Sequence, residues 1–227
     1  MNEKNQFPFK TIVILTLGIF VILVALVLLT NDLNDSSKDT DYEKQPPIEG
    51  QPLLGNDNAP VTVVEFGDFK CPACKAWGET IFPQLIQDYV DTGKVKFAYV
   101  NVLFHGKESI TGSLAAEHVL KESPESYWSF HKEIFNNQPQ TAKHDDLWLT
   151  NDKVLEVARK FPEINLDQLK ESLESQKERA EIEKDAKLVE EYNVGLTPSI
   201  MVGGTMLEDP FDYERIKSLI EQELEGK

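Results

Sequence analysis

VTVVEFGDFKCPACKAWGETIF (61–82) changes its period in the middle. The first part is short, apolar and β-branched, follows Asn58-Ala59-Pro60, and reads as a buried strand. From Cys71 the pattern is helical: Trp77, Ile81, Leu85, Ile86 and Tyr89 mark an apolar side, Pro83 should kink the helix, and Gly93 should end it. KVKFAYVNV (94–102) is a second strand, so strand, helix and strand make a βαβ unit. The join between the first strand and the helix holds the only two cysteines of the 227-residue chain.

Downstream lies a helical stretch of some 85 residues. Ser123-Pro124 is expected to cap and open a helix over SPESYWSFHKEIF, and Asn165 with Gln168 forms a capping-box pattern for a later one. PSIMV (198–202), Gly203-Gly204 and TMLE (205–208) predict a β-hairpin. DYERIKSLIEQEL predicts a last amphipathic helix with Ile216, Leu219 and Ile220 inward. The order predicts an α/β fold with a mixed sheet beside a helical insertion. There is no internal repeat.

Upstream, TIVILTLGIFVILVALVLL (11–29) carries no charge and spans about 28 Å as a helix, enough for a bilayer core. No small-x-small cleavage site and no cysteine follows it, so a retained anchor over 11–30 is expected rather than a signal peptide or a lipid attachment. Lys4 and Lys10 precede the run and acidic residues crowd after it, which predicts a cytoplasmic tail (1–10) and a catalytic domain outside, in the cell membrane by a single pass. Residues 31–50, polar and ending in QPPIEG, read as a flexible tether. The net charge of −16, which becomes −17 beyond the anchor once Glu3, Lys4 and Lys10 are set aside, argues against nucleic acid and anionic lipid as partners. ESLESQKERAEIEKDAKLVEEY (171–192) holds much of it and reads as a solvated helix face.

Two thiols supply half of a structural zinc site. The four histidines, His105, His118, His131 and His144, recur every thirteen residues, which turns a helix about 220° past whole turns, so neighbours share no face. They read as packing or surface residues. As a staple the cysteine pair is poor, because closing so short a loop removes little chain entropy. A redox role fits better. Cys71 falls at a helix N-terminus, where free N–H groups and the dipole favour a thiolate, and Cys74 lies one turn on. Cys71 is therefore the expected exposed nucleophile and Cys74 the buried resolving thiol.

EFGDFKCPAC (65–74), YWSFHKEIF (127–135) and VGLTPSIMVGG (194–204), in this order, resemble the DsbA-like thiol–disulfide oxidoreductases over roughly residues 50–225. With the anchor, the chain is most similar to the membrane-anchored Gram-positive, BdbD-type members. The resemblance implies a thioredoxin-like fold in two halves, 51–107 and 191–227, around a helical insertion, 108–190. It implies Cys71–Cys74 as the redox-active disulfide, Glu65 as a buried carboxyl that relays the Cys74 proton, and Thr197 and Pro198 as the cis-proline loop that binds substrate. The implied activity is introduction of disulfides into exported proteins with free thiols, by a monomer that a quinone-linked membrane protein reoxidises. No cofactor is required; a structural calcium ion is left open. Ala73 departs from relatives that carry histidine there, so an equally strong oxidant does not follow. The alternatives are a reductase of the same fold and, from another class, a non-enzymatic surface binding module with an idle disulfide.

Overall fold

The computed structural model describes residues 13–23, 39–139 and 146–226. The chain divides into two units, Met1–Asp39 and Thr40–Lys227. In the first, residues 13–23 are helical (α1) with exposed side chains; the rest of the apolar run lies outside the described residues. Among the described residues no helix is long and apolar enough to cross a membrane.

In the second unit the described residues form one six-stranded sheet in the order β1-β6-β5-β3-β4-β2. The strands are β1 Thr40–Asp41, β2 Leu53–Gly55, β3 Val61–Gly67, β4 Val95–Asn101, β5 Ser199–Val202 and β6 Thr205–Met206. β3 runs parallel to β4 and antiparallel to β5. A parallel pair needs a crossover. Here α2 (Pro72–Thr80), α3 (Phe82–Leu85) and a π-helical turn, Ile86–Val90, supply it. The predicted kink is a break: Pro83 sits in the first turn of α3, where its missing N–H has no intrahelical role. One extra residue is then absorbed by the π turn, where the Asp91 N–H donates to the Ile86 carbonyl at 2.9 Å.

Alternation along β3 sorts the core into two layers. Val61 and Val63 pack with Trp77, Leu85, Phe97, Tyr99 and the helical insertion, whereas Val64 and Phe66 pack with Leu188, Tyr192 and Met201 on the other face. The insertion is α4 (Lys107–Glu122), a 3-10 turn at Pro124–Ser126, α5 (Tyr127–Asn136), α6 (Asn151–Ala158), α7 (Leu166–Ser175) and α8 (Arg179–Glu191). Gly112 lets α4 approach the chain before Cys71: a Cβ there would lie 2.8 Å from the Phe69 Cβ. α9 (Tyr213–Glu225) closes the unit with Ile216, Leu219 and Ile220 buried.

Two expectations change in detail. The Ser123 hydroxyl caps no helix; it donates to the Glu163 carbonyl at 3.0 Å, across the insertion. Asn165 does cap α7, accepting from the N–H groups of Asp167 and Gln168. Residues 40–50, expected to belong to a flexible tether, are part of the folded unit. β1 pairs with β6, and the Tyr42 hydroxyl donates to the Tyr192 carbonyl at 2.6 Å. Backbone pairing and one aromatic anchor fix a segment whose composition is that of a linker.

Candidate active site

β3 places Glu65 on the same face as Val61 and Val63, beside Tyr99 of β4 in register, and only 4% of it is exposed. The strand then ends in a turn organised by Asp68, which is fully buried. Its carboxylate accepts from the Lys70 N–H (2.8 Å), the Phe104 N–H (3.1 Å), the His105 N–H and the Ser109 hydroxyl (2.8 Å), with His105 Nδ1 also at 2.8 Å. Its carbonyl accepts the Cys71 N–H at 2.9 Å, and its own N–H donates to the Cys74 sulfur at 3.4 Å.

Cys71 is the N-cap of α2, in extended conformation, with Pro72 at the first helical position. Both cysteines are free thiols. The Cys71 thiol donates to the Thr197 carbonyl at 3.2 Å. The Thr197–Pro198 peptide is cis, as the resemblance implied, and it lies across from the helix N-terminus. Cys71 is less open than expected, 5% exposed against 1% for Cys74, because the Thr197 loop covers it.

Burial has opposite outcomes for the two sulfurs. Hydrogen bonding from the Cys74 thiol lowers Cys71 to about 6, against desolvation, helped by the Thr197 side chain and the N–H groups of Cys74 and Ala73. Cys71 is therefore mostly thiolate at neutral pH. Cys74 is raised well above the ordinary thiol range, first by desolvation, then by Cys71 and by Glu65. Glu65 itself is raised well above the carboxylate range by desolvation and by the nearby Cys71 charge. Glu65 and Cys74 share a cavity of about 730 Å³ lined by Phe82, Trp128 and Phe135. Both groups can thus exchange protons with water on the side of α2 that this cavity opens.

Every residue named for the site is here: Glu65, Cys71 and Cys74 meet, and Thr197 with Pro198 stands beside Cys71. Asp68, Lys70 and Gln138 were not foreseen. A polar residue just past a strand reads as turn chemistry, and only tertiary contacts reveal that these three hold the turn. His131 packs among Phe69, Tyr99, Trp128 and Phe135, and burial lowers it to about 3, in line with a packing role. His105 joins the Asp68 cluster, His118 is buried, and His144 lies outside the described residues. Among the described residues no group of three or more His, Cys, Asp or Glu side chains is arranged to hold a metal ion.

A family model described as Thioredoxin matches residues 48–222. The chain is 45% identical over 183 residues to Disulfide bond formation protein D of Bacillus subtilis, with 81% of each chain covered. It is 39% identical to Probable disulfide bond formation protein D of Bacillus cereus, covering 77% of this chain and 79% of that one. The crystal structure of oxidised BdbD from Bacillus subtilis superposes with a TM-score of 0.78 at 44% identity, over 82% of this chain and 98% of that one.

Proposed function

The chain belongs to the thioredoxin family and is a protein disulfide oxidoreductase, and from that premise we propose that it is an oxidase, passing the Cys71–Cys74 disulfide to proteins outside the cytoplasm. The observation that carries the direction is the opposite titration of the sulfurs, Cys71 down to about 6 and Cys74 up. A thiolate favoured in the reduced form makes the disulfide easier to reduce, hence more oxidising.

In the first step a substrate thiolate attacks the Cys71 sulfur, and the S–S bond breaks toward Cys74. That leaving sulfur is buried and its thiolate disfavoured. Glu65, kept protonated by burial, gives it a proton and is reprotonated by water in the cavity. A second substrate thiolate then attacks the substrate sulfur of the mixed disulfide, and Cys71 departs as the stabilised thiolate. The exchange runs on sulfur alone and needs no cofactor.

Thr197 and Pro198 receive an extended substrate chain beside Cys71. Exposed apolar side chains on segments next to the site support a polypeptide substrate. Leu196 adjoins Thr197, Phe104 is bonded to Asp68, Leu147 follows the Asp146 carbonyl that Lys70 binds, and Phe211 follows the Pro210 carbonyl held by Trp77. In this reading residues 11–30 anchor the protein, the second unit works outside, and a quinone-linked membrane partner takes the two electrons and two protons of the reduced pair.

Equilibration with a glutathione series, read by tryptophan fluorescence since Trp77 is on α2, tests the direction. The expected potential is nearer about −120 mV than the about −270 mV of thioredoxin. A value at or below that of thioredoxin overturns the oxidase and leaves the reductase.

A further inference from the structure

The peptide group between Lys70 and Cys71 is held at both ends. Its N–H donates to the Asp68 carbonyl at 2.9 Å, within the turn. Its C=O accepts from the Gln138 side-chain amide at 2.7 Å, from the far side of the helical insertion. Gln138 is 4% exposed, just past α5, and its own backbone carbonyl accepts from Lys75 Nζ at 3.0 Å. One residue therefore touches the positions immediately before Cys71 and immediately after Cys74. Lys70 adds a second tie: its ammonium, 2% exposed, pairs with Glu108 at 2.7 Å and binds the Asp146 carbonyl.

A peptide plane pinned at N–H and C=O leaves little freedom in the Cα–Cβ direction of the residue that follows. We propose that Gln138 is a positioning residue for Cys71, acting through the Lys70–Cys71 peptide to hold the sulfur at the mouth of α2 and thereby setting the oxidising strength of the pair. The helical insertion is thus part of the redox machinery, and not only a surface beside it. The geometry has a clear electrostatic consequence. A sulfur displaced from the helix mouth loses the N–H groups of Ala73 and Cys74, which contribute to its low pKa. The Gln138 amide also neutralises the carbonyl dipole of Lys70 next to the thiolate.

The titratable groups facing the Cys71 sulfur are Cys74 on α2 and Glu65 on β3. Asp68, Lys70, His105 and Glu108 lie behind it in the turn and the start of α4, and Lys75 follows on α2. None of them changes in the variants below, so a shift reports the Gln138 amide and the peptide it holds.

Gln138→Met keeps length and packing and removes the amide. The proposal, which rests on the oxidase reading of the pair, expects the alkylation midpoint of Cys71 to rise by up to about one pH unit. The glutathione equilibrium constant should move toward a weaker oxidant by up to about tenfold, which is about 30 mV. The melting temperature serves as the control for a merely structural role. Gln138→Leu, which also removes the amide and adds no charge, carries the same expectation should Q138M fold poorly. A midpoint and a constant equal to those of the wild type, whatever happens to the melting temperature, overturn the proposal. The wild-type potential from the same titration bears on the oxidase reading alone; the difference between variant and wild type bears on Gln138 alone.

Discussion

Glu65 is a carboxyl whose protonated form the fold selects. Burial and the neighbouring Cys71 charge raise it well above the ordinary 4.5, so the folded chain binds its proton more tightly than the unfolded chain does. The stability it contributes is complete below the unfolded value and is lost as pH rises toward the folded one. Above about pH 4.5, Glu65→Gln should therefore be more stable than the wild type, with the gap widening as pH rises. Urea unfolding at pH 5 and pH 8 measures this. The catalytic sign is opposite. An amide cannot protonate the departing Cys74, so formation of the mixed disulfide should slow about tenfold or more, and the fall in rate that follows ionisation of Glu65 should vanish. A variant that is both less stable and unchanged in its pH–rate profile would leave Glu65 a packing residue.

Strand β3 can deliver Glu65 only because its last residue has no side chain. A Cβ on Gly67 would lie 2.4 Å from Tyr99 Cε2 and 2.7 Å from the Tyr99 hydroxyl, and Tyr99 is fully buried against the same face as Glu65. Gly67→Ala should destabilise the fold by about 1–3 kcal/mol through overpacking, and calorimetry of G67A and of G67A/Y99L should show the second change recovering part of the loss. An equal loss in the double variant would mean that the strand backbone, and not the ring, sets the limit. Elements of this kind were legible in the sequence. The β3–α2–β4 crossover and the β5–β6 hairpin have the period and the Gly-Gly turn that their backbones need, and the Asn165 cap is a local matter of two N–H groups. β1 was not legible, since two polar residues have no period and their strand exists only because β6 offers them an edge. Ser123 misled for a related reason. Its hydroxyl had a local use and a distant one, and the distant carbonyl of Glu163 won. At the site the sulfurs and the helix N-terminus could be read directly. Glu65, Thr197 and Pro198 entered through the resemblance, while Asp68 and Gln138 depend on contacts between segments that no spacing encodes.

Across the whole chain, the charge, the apolar run and the fold divide the labour between two units. The run at 11–29 is uncharged, whereas the second unit carries nearly all of the acidic excess and the entire site. The proposed anchor should then be separable from the chemistry, but the boundary lies at about residue 39, earlier than the polar composition of 31–50 suggests. Within 40–50, β1 pairs with β6, the Tyr42 and Tyr192 rings sit 5.1 Å apart, and Gln45 donates to the Thr62 hydroxyl at 3.3 Å. A chain starting at Asp39 should leave the membrane fraction, keep the melting temperature of the second unit, and exchange thiols at the full-length rate. A chain starting at Gln51 forfeits the strand pair, the Tyr42 hydrogen bond and the ring contact, together about 2–3 kcal/mol, and should melt about 5–10 °C lower. The full chain should sediment with membranes in its host, and Cys71, once a membrane-impermeant reductant has opened the disulfide, should react with a membrane-impermeant thiol reagent applied to intact cells. Labelling only after lysis would put the catalytic unit on the cytoplasmic side, where reducing conditions would deprive an oxidase of its product, and the proposed topology would fall with it.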